Sequence, residues 1–189
     1  MGWNTWNKFD CDISEEPVKK VIDKIVELGL DKLGYNYVNL DDCWMKKERT
    51  ADGHFIVDTE AFPNGMKALG DYIHSKGLKF GIYSSAGTLT CAHRAGSLGY
   101  EEIDAQDWAS WGVDYLKYDN CENEGIDGKK RYKAMGDALA STGRDIFYSI
   151  CNWGEEDSWD WAPALGNSYR TTQDILNEFS SVEYNFKEN

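Results

Sequence analysis

The sequence predicts an α/β fold, and three observations lead to it. Apolar patterns with helix and strand periods alternate along the chain, which implies right-handed crossovers and a parallel sheet. Neither a GxGxxG nor a GxxxxGK[ST] loop follows any strand, so an open nucleotide-binding sheet is disfavoured. Polar and aromatic residues cluster just past the strand ends, where a (β/α)8 barrel keeps its active site. The predicted architecture is therefore a (β/α)8 TIM barrel, truncated after about six strands.

The first repeats show the alternation of strand and helix. Residues 2–4 form the first predicted strand. A helix over residues 14–28 carries apolar side chains at helical spacing and stops at a glycine. The next strand, residues 35–40, runs into two adjacent acids. A second helix over 66–76 also stops at a glycine and leads to the strand 78–83.

The same unit continues through the rest of the chain. A helix over residues 101–111 precedes the strand 113–118, and a helix over 129–142 precedes the strand 145–150. A short strand near 167–171 closes the series. Because a full barrel typically needs about 250 residues, the six strands predict an incomplete one.

Composition and charge limit the classes of function. The chain has 189 residues, of which 41% are hydrophobic and 14% aromatic, as in a globular protein. Its apolar runs are too short for a transmembrane helix. Twenty basic residues against 33 acidic ones give a net charge of −13, which argues against nucleic acid and anionic membranes as partners. An acidic surface fits a neutral substrate, and it also fits a role in solubility alone.

Five cysteines without a CxxC pair, and three scattered histidines, argue against zinc and favour disulfides formed in an oxidising compartment. Cys11 and Cys43 would follow the first and second strands, and Cys91 and Cys121 the third and fourth. Neighbouring strand-end loops are close in space, so these two pairs are candidate bridges, although spacing alone leaves the connectivity open. Cys151 then remains a free thiol, either a small buried hydrophobe or a residue that shapes a pocket.

Two strand ends carry the strongest chemical signals. Lys117 and Asp119 lie two residues apart on one strand and face the same way, and a lysine beside a carboxylate keeps it ionised, as a nucleophile requires. An internal ion pair or a helix cap would explain them equally. Asp41 and Asp42 precede Trp44 at another strand end, and acids beside an indole suit sugar recognition. Calcium binding or helix capping is the alternative for this pair.

Tryptophan is abundant, with eight residues in the chain. Trp3 and Trp6 flank Asn4 and Thr5 at the end of the first strand, and Trp153 follows the end of a later one. Such positions are typical of the walls of a carbohydrate pocket, although core packing would explain several of the tryptophans. Arg170 and Asp174 are four residues apart, and by themselves they read as an ordinary surface ion pair.

Five segments carry more specific information: Met1–Trp6, Leu40–Trp44, Phe62–Met66, Gly77–Gly87 and Tyr115–Cys121. In this order, over nearly the whole chain, they resemble glycoside hydrolase family 27, the α-galactosidases (melibiases) and α-N-acetylgalactosaminidases. The resemblance is nearest to fungal and plant members. It implies a (β/α)8 catalytic domain followed by a C-terminal β-sandwich. Residues 1–189 are accordingly expected to be an incomplete catalytic barrel, with the last strands and the sandwich absent from the chain.

The resemblance also implies a reaction, the retaining hydrolysis of terminal α-galactosides in galacto-oligosaccharides or galactomannan. Asp119 matches the nucleophile and Asp174 the acid/base. Asp119, held by Lys117, is expected to have a lowered pKa, and Asp174 a raised one. No cofactor and no metal are required.

Further residues match positions around the sugar. Cys91 and Cys121 match a disulfide that borders the pocket. Cys151 and Trp153 match positions around the sugar 2-substituent, where a bulky Trp153 favours a free 2-hydroxyl. The remaining matches to sugar-binding positions are Trp6, Asp41, Asp42, Tyr83, Lys117 and Arg170.

Three alternatives stay open at this point. An α-N-acetylgalactosaminidase or a β-L-arabinopyranosidase would keep the chemistry and change the substrate. A non-catalytic sugar-binding fragment would bind galactose without turnover. The expected location is extracellular, or another oxidising compartment such as a lysosome or vacuole. The sequence does not indicate an oligomeric state.

Overall fold

A parallel sheet forms the centre of the molecule. The computed structural model describes residues 1–189. Its eight strands are β1 (Gly2–Asn4), β2 (Tyr37–Asn39), β3 (Met45–Arg49), β4 (Phe55–Val57), β5 (Lys79–Ser85), β6 (Tyr115–Asp119), β7 (Phe147–Cys151) and β8 (Ser168–Tyr169). Six of them pair in parallel in the order β1-β2-β5-β6-β7-β8, whereas β3 and β4 form a separate antiparallel hairpin.

Helices connect the strands of the sheet. They are α1 (Trp6–Phe9), α2 (Glu15–Glu27), α3 (Gly65–Ser75), α4 (Glu101–Trp111), α5 (Gly128–Ser141), α6 (Ser158–Trp161) and α7 (Phe179–Glu188). The long helices α2 to α5 each lie between two consecutive strands of the sheet. Helix α4 ends where Gly112 takes a left-handed conformation, with φ of 80°, which glycine adopts without a steric penalty. None of the helices is both long and apolar enough to cross a bilayer.

Strand β6 shows how the sheet separates the core from the site. Leu116 and Tyr118 are fully buried and belong to the hydrophobic core. Successive side chains on a strand point to opposite faces, so Lys117 and Asp119 lie on the other face of the sheet. The parallel pairing of β5, β6 and β7 sets Ser85, Asp119 and Cys151 level with one another at the carboxyl ends.

The observed elements agree with most of the predicted ones. All six predicted strands and all four predicted helices are present, with ends within two residues of the prediction. The parallel α/β architecture, with six barrel strands, is therefore confirmed. The hairpin of β3 and β4 and the helices α1, α6 and α7 were not predicted.

Candidate active site

A cavity of about 820 Å³ lies at the carboxyl ends of the strands. Residues from several separate elements line it, because parallel strands bring their carboxyl ends to the same edge. Eight of the predicted site residues are among them: Trp6, Asp41, Asp42, Tyr83, Cys91, Lys117, Asp119 and Asp174. The structure therefore brings both predicted catalytic carboxyl groups to one cavity.

Asp119 lies at the end of β6, where hydrogen bonds hold both its side chain and its main-chain carbonyl. The Asn120 N–H donates to Asp119 Oδ1 at 3.0 Å, and the Tyr132 hydroxyl donates to the Asp119 carbonyl at 3.0 Å. Tyr132 is fully buried in α5. Tyr132 thus fixes the main chain at Asp119, and the Asn120 N–H orients the carboxyl group, as a group aimed at one atom of a substrate requires.

The expected lowering of the Asp119 pKa is wrong in direction. Only 6% of Asp119 is exposed, and this burial raises its pKa above the usual value, although Lys117 opposes the rise. Lys117 does not outweigh burial, and its ammonium forms its ion pair with a different acid, Asp41, at 2.8 Å.

Lys117 reaches Asp41 across the aromatic ring of Tyr83. Its Nζ lies 5.0 Å from the ring centroid and donates to Asp41 Oδ2. Burial works against the charged form of Lys117, but the attraction of Asp41 and other nearby anionic groups outweighs it, so the pKa of Lys117 is raised. The ammonium therefore stays charged beside the cavity.

Asp42 is turned toward a neighbouring loop. Its Oδ1 accepts from the Thr90 hydroxyl at 2.8 Å and its Oδ2 from the Ala92 N–H at 2.9 Å. Burial raises the pKa of Asp42. These two bonds lie on either side of Cys91, so Asp42 also positions the loop that borders the cavity.

Two disulfides join strand-end loops, Cys11 to Cys43 and Cys91 to Cys121. These are the two pairs proposed from the order of the strands. Both sulfur atoms of the second pair lie within 4.8 Å of a carboxylate oxygen of Asp119. Because these sulfurs are bonded to each other, they are not the thiolates that a zinc ion needs.

Four predicted residues lie outside the lining of the cavity, namely Cys121, Cys151, Trp153 and Arg170. Arg170 connects two parts of the site, because its Nη1 donates to Asp174 Oδ1 at 2.7 Å and lies 3.5 Å from Cys151 Sγ. Cys151 is a free thiol, and burial raises its pKa to about 12. Trp153 is partly exposed and has a φ of 63°.

The residues that form this cavity lie within a sequence that matches a known protein family. The family model Melibiase_2, described as alpha galactosidase A, matches residues 1–187. The chain belongs to this family.

Relatives named alpha-galactosidase are similar over almost the whole chain. An alpha-galactosidase of Cyamopsis tetragonoloba is 57% identical over 183 residues, which are 96% of this chain and 44% of the relative. Alpha-galactosidase I of Mortierella vinacea superposes with a TM-score of 0.91 at 53% identity, covering 93% of this chain and 46% of that one. A Saccharomyces cerevisiae alpha-galactosidase structure with raffinose gives a TM-score of 0.92 at 49% identity, covering 94% and 40%. The chain therefore spans less than half the length of these relatives.

The melibiase cavity also contains residues that the sequence did not single out. Asn4 donates to Asp41 from the end of β1, and Asn7 and Lys8 enter the lining from α1. Ile175 and Leu176 follow Asp174 in the same lining. Of these residues, only Asn4 could have been recognised from the sequence, because it directly follows the Gly-Trp pair at the end of a predicted strand.

Proposed function

We propose that the protein is a retaining glycoside hydrolase that releases terminal α-linked galactose from galacto-oligosaccharides or galactomannan. The observation that carries this proposal is one cavity lined by Asp119 and Asp174, with an indole and an ammonium between the strand ends. Membership of the melibiase family supports it. So do the names of relatives that are 50% to 57% identical and the yeast relative solved with raffinose.

In the proposed mechanism Asp119 attacks the anomeric carbon while Asp174 donates a proton to the leaving oxygen. Retention requires carboxyl groups about 5–5.5 Å apart in the complex. Asp174 then accepts a proton from water, which releases galactose from Asp119. Asp174 is exposed in the free protein, and its side chain pairs with Arg170.

We propose that the sugar is recognised by the remaining lining residues. Asp41 and Lys117 present a charged pair to the hydroxyl groups, and Trp6 offers an indole face to the C–H side of the ring. Cys151 and Trp153 lie outside the cavity lining, and the family resemblance is what assigns them the limit on space at the sugar 2-position. This arrangement favours a free 2-hydroxyl over an acetamide.

We further propose that residues 1–189 belong to the catalytic barrel and that the protein functions in an oxidising compartment. Two disulfides among five cysteines support that location. Extracellular space, vacuole and lysosome all satisfy this condition.

Replacing Asp119 by Asn tests the proposed function. We expect hydrolysis of an aryl α-galactoside to fall by at least about 1,000-fold, since a nucleophile is lost, while galactose binding measured by calorimetry is retained. Asp137→Asn, an exposed acid on α5, is the matched control and should hydrolyse like the wild type. Full hydrolysis by Asp119→Asn would contradict the assignment.

A separate experiment tests which class of glycoside the protein hydrolyses. Aryl α-galactoside, aryl α-N-acetylgalactosaminide and aryl β-L-arabinopyranoside are compared at equal concentration, and the α-galactoside should react fastest. Galactose binding by the wild type without turnover of any of the three would instead identify a sugar-binding protein.

A further inference from the structure

The side chain of Asn4 contacts two parts of the site at once. Its Nδ2 donates to Asp41 Oδ2 at 2.8 Å, and its Oδ1 accepts from the Trp6 N–H at 2.9 Å. Asn4 is the last residue of β1, paired in register with Asn39 of β2. Its backbone is therefore fixed by the sheet while its amide group bridges two lining residues.

The first contact fixes the orientation of the Asp41 carboxylate. Asp41 Oδ2 accepts from both Asn4 and Lys117, each at 2.8 Å. Its Oδ1 accepts from the Asp42 N–H at 3.0 Å. Lysine is a flexible partner with a rotatable point charge, whereas the amide of Asn4 is short and planar. Asn4 on Oδ2 and the Asp42 N–H on Oδ1 thus together determine the plane in which Asp41 meets a ligand, and Asn4 is the only side chain of the two.

The second contact fixes the start of α1, which carries Trp6. This helix has only four residues and none of them is fully buried. Phe9 packs against the core and against the ring of Trp3, whereas Trp6 is not among the residues packed on the core. The N-cap residue Thr5 makes no side-chain capping bond, because its hydroxyl accepts from the Asp41 N–H instead. The bond from the Trp6 N–H to Asn4 is therefore a main restraint on the position of the indole.

We propose that Asn4 is a positioning residue for galactose, which sets the sugar-binding carboxylate of Asp41 and the aromatic wall of Trp6 in one fixed relation. The inference rests on the proposed function, since it names how that same site is organised. Both groups act on the bound sugar in the ground state and in the transition state alike. Their loss should therefore weaken binding without slowing the chemical step.

Asn4→Leu removes both hydrogen bonds at similar side-chain volume. We expect KM for an aryl α-galactoside and Kd for galactose to rise by about tenfold, with kcat within about threefold of the wild type. A merely structural role would give the opposite result, a lower kcat from a smaller folded fraction with KM unchanged. Asn36→Leu, at an exposed position before β2, makes the same exchange and should leave KM unchanged.

Asn4→Asp keeps an acceptor for the Trp6 N–H and places a carboxylate against Asp41. It should also raise KM, and it decides the question if Asn4→Leu does not fold. Wild-type KM and Kd in the folded variants would overturn the inference while leaving the proposed function intact. If the wild type does not bind galactose, the proposed function fails as well, so the two failures are distinguishable.

Discussion

Lys117 and Asp119 are two residues apart on β6, and yet they do not pair with each other: Lys117 forms its ion pair with Asp41. The sequence places them on one face of a strand, which the structure confirms, but it does not contain the identity of the lysine's partner. That partner comes from β2, two strands away in the sheet, and Lys117 reaches it across Tyr83 of β5. Strand order decides the ion pair, so no local pattern could have predicted it.

At this scale Lys117 controls the protonation of the proposed nucleophile. Burial raises the pKa of Asp119 and Lys117 opposes the rise, so Lys117→Met should raise this pKa further. Because Asp119 must be ionised to attack, the acidic limb of kcat/KM should move to higher pH. The measurement is a pH profile with an aryl α-galactoside.

Lys79→Met is the control for that profile. Lys79 begins β5 at the opposite end of the sheet and is exposed, so its loss should leave the acidic limb in place. A limb that moves to lower pH in Lys117→Met, or does not move, would contradict this account of Asp119.

At the scale of elements, amphipathic helices and apolar strands were predictable and the polar ones were not. β3 reads Met-Lys-Lys-Glu-Arg, without the apolar alternation that marks a strand. Helix α7 buries none of its residues, so its apolar positions form no core-facing stripe. The structure of β3 depends instead on its pairing with β4 and on the contact of Arg49 with Asp104 of α4, which is distant in the sequence.

The hairpin of β3 and β4 is anchored by one buried ion pair. Arg49 donates to both carboxylate oxygens of Asp104 on α4, at 2.7 and 2.8 Å. Its guanidinium also lies between the rings of Phe55 and Tyr100, at 3.9 and 4.2 Å from their centroids. The hairpin, which follows the Asp41–Asp42 pair, is thereby fixed to the helical layer.

Arg49→Met should lower the free energy of unfolding by about 3–5 kcal/mol, because Asp104 is fully buried and would lose its counter-charge. Chemical denaturation monitored by tryptophan fluorescence gives this value. Lys133→Met removes an exposed pair with Asp137 on α5 and should cost less than about 1 kcal/mol. Equal losses in the two variants would show that the Arg49 pair is not an anchor.

At the scale of the whole molecule, the ends of β1, β5 and β6 and the segments after β2 and β8 meet at one cavity, and this convergence was predictable from the α/β order alone. The exact lining was not, because Asn7, Lys8 and Leu176 enter from short or irregular segments. Their positions depend on how loops from distant repeats meet above the sheet. The two disulfides tie such loops together.

Removing each disulfide in turn should show that both stabilise the fold and that only one of them affects sugar binding. Each closes a loop of 30 or 32 residues, so replacing either pair with serines should cost about 3–4 kcal/mol of unfolding free energy. Only the Cys91–Cys121 pair lies beside the cavity, and only its loss should also weaken galactose binding. Equal binding by the two double variants would contradict this division.

The spacing of the disulfides also determines how the chain can oxidise as it is made. Each bond links consecutive strand-end loops of the sheet, so both cysteines of the first bond precede both cysteines of the second along the chain. Domains form from the N-terminus during synthesis. Four cysteines allow three connectivities, and the native one pairs them in their order along the chain. Cys151, the free thiol, follows both pairs.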